Sequence, residues 1–353
     1  MSNRIPTAVL GATGYVGGEL LRLLGTHPAF ELRAAVSTSQ SGETVASVFP
    51  ALAPVYRELR FCSVDDCEAM LNDVDELALF SSAPHGASAA LVARLLVSAK
   101  QKNVTVHVVD SSADFRYTDK EKYAAIYGQP HDAPELLNQF AQGVPEHVPA
   151  WQAAHVGHPG CFATAAMLAA VPLCVSQADI QSIFISGVTG STGSGRAPSP
   201  GTHHPERHSN MYAYKPLAHR HAPEIADGIR LAGGGDVRVN FVPHSGPFTR
   251  GIHITLQAEL ASPMSASTLR AIYDRYYENS VFVQRVDGTP KIKNVVTSNH
   301  CHIGVAAEGS SVVVMSAIDN LVKGAAGGAV QWMNRLWSLP EHSGLMAVAP
   351  AWT

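Results

Sequence analysis

The feature that most constrains the fold lies near the amino terminus, where the apolar run Ile5–Leu10 passes directly into GATGYVGG and then into ELLRLLGTH. The pattern predicts a strand, a sharp turn and an amphipathic helix with Leu20, Leu21, Leu23 and Leu24 available to pack. Gly11, Gly14 and Gly17 are spaced GxxGxxG rather than GxGxxG. The physical task is the same: a tight turn, close approach of a pyrophosphate to backbone, and a helix N-terminus aimed at negative charge. A strand-to-helix turn needs glycine even without a ligand, so the spacing alone leaves both readings open. Its place after a first strand favours a dinucleotide site.

The alternation then repeats. Strands are expected at Phe30–Val36, Asp75–Phe80, Val104–Asp110 and Ala153–Gly157, with a helix at Gly86–Ser98. Strands separated by helical patterns imply a mostly parallel sheet of Rossmann type with ligands beyond the carboxyl ends of its strands. Ser81–His85 and Ser111–Arg116 fall at such ends. Ser37, Thr38 and Ser39 follow the second strand, where an NAD site usually carries an acidic residue. Hydroxyls there accommodate a 2'-phosphate, which favours NADP; a polar loop that touches nothing is the alternative. Arg116 reads as an anion clamp or as a surface ion pair.

From Ile180 the pattern changes. DIQSIFISGVTG is a strand entering GVTGSTGSGR, whose amides could cradle an anion or a nicotinamide ring and which ends at Arg196. Val237–Val242, Gly251–Leu260, Val281–Val286 and Ser311–Ile318 are further strand candidates without βαβ spacing, so an α+β domain with a mostly antiparallel sheet is expected. The tail DNLVKGAAGGAVQWMNRLW reads as a helix. At 353 residues two domains are natural. The expected division is 1–158, with 320–353 packing back as its C-terminal helix, and 159–319 as the α+β domain, to which the resemblance described below gives a catalytic and oligomerisation role.

Composition excludes several classes. A formal charge of −4 without a Lys/Arg block gives no reason to expect nucleic acid. No apolar run reaches the ~18 residues of a membrane helix. The lead MSNRIPTAVLGATG has no secretory signal, so the cytoplasm is expected. Five cysteines without CxxC spacing suggest neither a disulfide framework nor a zinc ribbon. His203, His204, His208, His219 and His221 cluster in sequence, but no closed ligand set accompanies them, and no metal is expected.

His158–Thr164, HPGCFAT, combines a turn, a thiol and a helix start. Unpaired amides and the positive end of the helix dipole there favour a thiolate at Cys161. A buried core cysteine is the competing reading. A thiolate that attacks an acyl group needs a proton donor nearby, and spacing does not choose among His219, His221 and His244.

GATGYVGGELLRLL, VVDSSADFR, HPGCFATA, SGVTGSTGSGR, AYKPLAHRHAPE, FVPHSGPFTRG and SAIDNLVKGAAGGAVQWMN, in this order over about residues 5–335, together resemble the N-acetyl-gamma-glutamyl-phosphate reductase family of arginine biosynthesis. The resemblance implies NADPH-dependent reduction of a small acyl phosphate to an aldehyde through a cysteine thioester, in a homo-oligomer (dimer or tetramer). It assigns Cys161 as nucleophile and His219 as acid/base, with Tyr214 close by. Gly11, Thr13, Gly14, Tyr15, Val16, Gly17, Ser37, Thr38 and Ser39 fall to the NADP phosphates, and Gly190, Ser191 and Asn320 to the nicotinamide. Arg116, Arg196 and Arg207 are candidate clamps for substrate anions, with His221 and His244 at the substrate. HHPER looks more like lysine-biosynthesis relatives that act on an aminoadipyl phosphate held by a carrier protein. Aspartate-semialdehyde dehydrogenase and a non-enzymatic NADP-sensing scaffold are further alternatives.

Overall fold

Strand β1 (Ile5–Leu10) is buried from Thr7 onward and pairs in parallel with β2 (Phe30–Val36) on one side and β4 (Glu76–Ser81) on the other. With β3 (Phe61–Cys62), β5 (Thr105–Asp110), β6 (Phe140–Gln142) and β7 (His155–Gly157) they form a sheet ordered β3-β2-β1-β4-β5-β7-β6, parallel throughout. Near-continuous apolar strands such as ELALF fit this architecture because both faces are covered. The order reverses between β1 and β4, the place where open α/β sheets bind ligands.

In the computed structural model, residues 4–177 and 179–351 are described; residues 1–3, 178, 352 and 353, which fall within the expected domain spans, lie outside the described residues. Two compact units emerge. The first comprises Met1–Gln142, Ala150–His158 and Ala326–Met346, and the second Gly143–Pro149, Pro159–Ala325 and Ala347–Thr353. The Gly327–Leu336 helix packs on β5 and on the Tyr15–Leu24 helix of the first unit. Residues Val322–Ala326, expected as part of one continuous helix, instead form a wider π turn before it.

The second unit holds a sheet of β8 (Ser182–Thr189), β9 (Tyr212–Ala213), β10 (Arg238–Ser245), β11 (Ile252–Glu259), β12 (Val283–Arg285), β13 (Cys301–Glu308) and β14 (Ser311–Ile318), ordered β12-β13-β14-β11-β8-β10-β9. Pairings β13–β14, β14–β11, β11–β8 and β10–β9 are antiparallel. Pairings β12–β13 and β8–β10 are parallel. The β8–β10 pair corrects the expectation that this half lacks a βαβ unit: a long crossover containing the His221–Leu231 helix joins them. Alternating burial along β8 and β11 directs one face of the sheet to the core.

That core is built around the Cys161–Ser176 helix, which is buried from Phe162 to Cys174 and therefore apolar on all sides. It packs against the His221–Leu231 and Ala266–Tyr276 helices and against β11 and β14. Pro172 within it cannot donate a hydrogen bond to Leu168 O. Tyr277 Oη donates to that carbonyl instead, at 2.8 Å, and Tyr273 Oη donates to Ala169 O. Among the described residues no helix is long and apolar enough to cross a membrane.

Candidate active site

In the first unit the three loop glycines have different causes. Gly11 adopts φ +68°, and a Cβ on it would stand 2.5 Å from Ser82 O at the end of β4. A Cβ on Gly17 would stand 2.5 Å from Gly11 O. Both glycines are thus demanded by the protein's own backbone. Gly14 is not: its Cβ would meet only Gly11 O, at 3.5 Å. It occupies the N-cap of the Tyr15–Leu24 helix without any side-chain cap, which leaves room for an anionic group at the amide end. This cradle fits a dinucleotide pyrophosphate, bordered by Thr13, Tyr15 and Val16.

Thr13 and Ser37 share a hydroxyl hydrogen bond of 3.1 Å, and Ser37 Oγ also accepts from Gln40 N at 3.1 Å. Ser37 is only 3% exposed, while Thr38 and Ser39 are exposed. Ser37 therefore shapes the turn after β2, and the next two hydroxyls face outward. Asp114, absent from the sequence-based site, accepts from Gly86 N (2.8 Å), Ala89 N (3.0 Å) and Tyr123 Oη (3.0 Å), fixing the turn after β4. Arg116 is buried and donates to His158 O at 3.0 Å and Ser111 O at 3.1 Å. It braces backbone, which corrects the surface ion-pair reading and commits two of its donors.

In the second unit Cys161 is the first residue of its helix and half-buried, unlike the thirteen residues that follow it, which are all buried. Gly160 is the N-cap, and its N–H is held by Glu224 Oε1 at 2.7 Å. Tyr214 lies beside Cys161: burial first, and then the cysteine's charge, push its phenol above the ordinary tyrosine range. The Tyr214 ring is 5.6 Å from that of His219, which in turn lies 6.1 Å from Phe162 and 4.7 Å from His221. His219, 9% exposed, is pushed down to about 4 by burial, with further lowering from the charges of Arg220 and Lys215. One face of the second unit thus gathers a helix-start thiol, a phenol, a neutral imidazole and two nearby cations.

Residues 6–157 match the family described as "Semialdehyde dehydrogenase, NAD binding domain", and residues 161–320 that described as "Semialdehyde dehydrogenase, dimerisation domain". The chain is 42% identical over 352 residues to the N-acetyl-gamma-glutamyl-phosphate reductase of Ectopseudomonas mendocina, covering 98% of this chain and 99% of that protein. It is 41% identical to the enzyme of the same name from Azotobacter vinelandii, with the same coverage. It belongs to the N-acetyl-gamma-glutamyl-phosphate reductase family. Its fold is also that of aspartate semialdehyde dehydrogenase II from Vibrio cholerae, with a TM-score of 0.69 at 18% identity over 96% of this chain and 99% of that one. The enzyme from Candida albicans aligns with a TM-score of 0.63 at 13% identity over 95% and 99%. These two likenesses establish the architecture alone.

For a member of the N-acetyl-gamma-glutamyl-phosphate reductase family, the other expected residues divide. Amides of Gly190 and Ser191, expected at the nicotinamide, donate to Gly251 O and Phe248 O, both at 2.9 Å, and so form a backbone clasp with the segment after β10. Asn320 accepts from Gly251 N at 2.8 Å and donates to Thr192 Oγ1 at 3.0 Å, tying the same clasp. Arg207 donates to Asn210 O and Gly246 O, and Arg196 is exposed. His221 is buried against Phe162 and His219. His244 lies on β10 opposite Ala213, next in sequence to Tyr214. Among the described residues no three His, Cys, Asp or Glu side chains converge as metal ligands. Sequence reasoning missed Glu224, Lys215 and Arg220, although all three stand in or beside the AYKPLAHRHAPE stretch that identified His219.

Proposed function

We propose that this chain reduces N-acetyl-gamma-glutamyl phosphate to N-acetylglutamate 5-semialdehyde with NADPH, through a thioester on Cys161. The observation that carries the reading is Cys161 at the first position of a buried helix with Tyr214 near it and His219 packed edge-on in turn against Tyr214 and Phe162, in a chain similar along its length to reductases of that name. NADPH, when bound, supplies the hydride that reduces the thioester carbon to the aldehyde level.

The chain's own residues supply the rest. Cys161 sulfur bonds to the acyl carbon, and the carbon–oxygen bond to phosphate breaks, releasing inorganic phosphate. First-turn amides of the Cys161–Ser176 helix stabilise negative charge on the sulfur and on the carbonyl oxygen. His219 Nδ1 accepts the His221 N–H at 3.2 Å, so the proton of the neutral ring resides on Nε2, from which it can donate a hydrogen bond to the developing oxyanion while staying on the ring. When the carbon–sulfur bond breaks, the electron pair returns to sulfur and the aldehyde departs. Gly14 and the Tyr15–Leu24 amide end would hold the pyrophosphate, and the hydroxyls after β2 would receive a 2'-phosphate without repulsion. The charges of Lys215 and Arg220 reach His219, which supports them as the groups that attract the anionic substrate. The second unit's match to a dimerisation domain supports a homo-oligomer, and a small-molecule biosynthetic substrate supports a cytoplasmic enzyme.

The test is phosphate-dependent oxidation of N-acetylglutamate 5-semialdehyde, run beside aspartate semialdehyde and an aminoadipate semialdehyde on its carrier protein, each with NADP and NAD. The reading requires preference for the acetylated substrate and for NADP. Higher turnover of either competitor overturns it.

A further inference from the structure

Behind Cys161 stands a buried ion pair that the chemistry above does not use. Lys323 Nζ contacts Glu146 Oε1 at 2.5 Å, with the lysine side chain 0% and the glutamate 4% exposed. Lysine is almost never fully buried unless paired. Lys323 belongs to the Val322–Ala326 π turn, and such turns concentrate at functional sites. Its successor, Gly324, donates to Asp319 O at 3.0 Å and lies against the cysteine: a Cβ there would stand 2.8 Å from Cys161 Cβ and 3.1 Å from Cys161 Cα. The start of the turn is fixed separately, because Asp319 Oδ1 accepts from Leu321 N at 2.8 Å and Val322 N at 2.9 Å.

Glu146 lies in the Pro145–His147 turn, which reaches the cysteine helix by a second route. His147 Nε2 donates to Tyr277 Oη at 2.9 Å, and Tyr277 Oη donates to Leu168 O at 2.8 Å, the carbonyl that Pro172 leaves free. One short turn is therefore attached both to the backbone that presses on Cys161 and to the helix that carries it. We propose that the Lys323–Glu146 pair is a positioning device that holds Gly324 against Cys161 and so fixes where the sulfur points. Neither side chain touches substrate. The inference rests on the reading of Cys161 as nucleophile.

The test compares Glu146→Asp and the double substitution Lys323→Met/Glu146→Leu with the unaltered chain and with Cys161→Ser. Glu146→Asp keeps both charges and withdraws the carboxylate by one methylene. The double variant removes both charges together, which buried pairs tolerate far better than loss of one partner. For each, the urea midpoint, the KM values, kcat, and the rate of Cys161 alkylation by iodoacetamide in the cofactor-free protein, followed by mass spectrometry, are measured. The expected result is a near-normal midpoint and KM values within about twofold, with tenfold or larger losses in both kcat and alkylation rate. Unchanged alkylation and turnover in either folded variant overturns the proposal. Should the double variant not fold, Glu146→Asp alone decides; should neither fold, the pair is a requirement of folding and the positioning role is rejected. Activity retained by Cys161→Ser sinks the nucleophile reading instead, while the alkylation rates still report the geometry.

Discussion

Nδ1 of His219 accepts the backbone hydrogen of His221 at 3.2 Å, a bond that only an unprotonated Nδ1 can make. Burial pushes His219 down to about 4, and does the same to His147 and His155. These histidines remain neutral in the folded chain while the unfolded chain takes up protons near 6.5. Stability is therefore fully present above pH 6.5 and is lost as pH falls through about 4. The gap between 6.5 and about 4 bounds the loss at ~3 kcal/mol per histidine. Urea midpoints between pH 7 and 4 should fall, and His219→Asn should flatten that slope by about one histidine's share; an unchanged slope in the variant contradicts the burial argument.

His219→Asn should also lower kcat by about 10²–10⁴, the usual contribution of a positioned proton donor, with NADPH affinity preserved. Cofactor titration by fluorescence and steady-state rates separate the two effects. If kcat holds, the donor is His221 or His244.

Cys161→Ser should abolish NADPH oxidation without altering the unfolding midpoint, because the side chain is half-buried and a serine fits the same helix start. Retention of more than a few per cent of kcat rules out the covalent step. Mass spectrometry of the unaltered enzyme quenched during turnover should find the acyl adduct on the peptide containing Cys161.

Ser37→Asp should favour NADH over NADPH. Aspartate can still accept from Gln40 N and Thr13 Oγ1, so the turn survives while a negative charge is placed where a 2'-phosphate is expected. The measurement is kcat/KM with each cofactor, and an unchanged ratio shows that this loop does not read the phosphate.

Tyr277→Phe should destabilise the second unit by about 1–3 kcal/mol, the cost of leaving a buried carbonyl unsatisfied. Pro172→Ala restores an N–H facing Leu168 O, so the tyrosine should matter less in that background, by about 1 kcal/mol. A double-mutant cycle in urea that shows strict additivity disproves the compensation.

Much of this was legible in the residues. The first sheet announces itself because parallel strands are apolar on both faces, and Ile5–Leu10, Phe30–Val36 and Ser311–Ile318 have the predicted bounds. Strand β13, CHIGVAAE, carries a weak signal because Gly304 interrupts it, and that glycine is required by the close approach of Gly288 O. The arginines were the least readable part. Arg116 and Arg207 spend donors on backbone carbonyls, and no spacing rule distinguishes such a brace from an anion clamp. Glu224, Lys323 and Glu146 owe their roles to contacts across 64 and 177 positions of chain, which local pattern cannot express.

The Cys161–Ser176 helix is buried all round from Phe162 to Cys174, so in isolation it would be a short apolar segment with little reason to persist. Its amide-bearing end, on which Cys161 sits, comes into being only once the surrounding sheet has closed over it. On the role proposed for Cys161, a nascent or heat-damaged polypeptide carries an ordinary mercaptan at this position, and the chemistry waits on completion of the architecture itself.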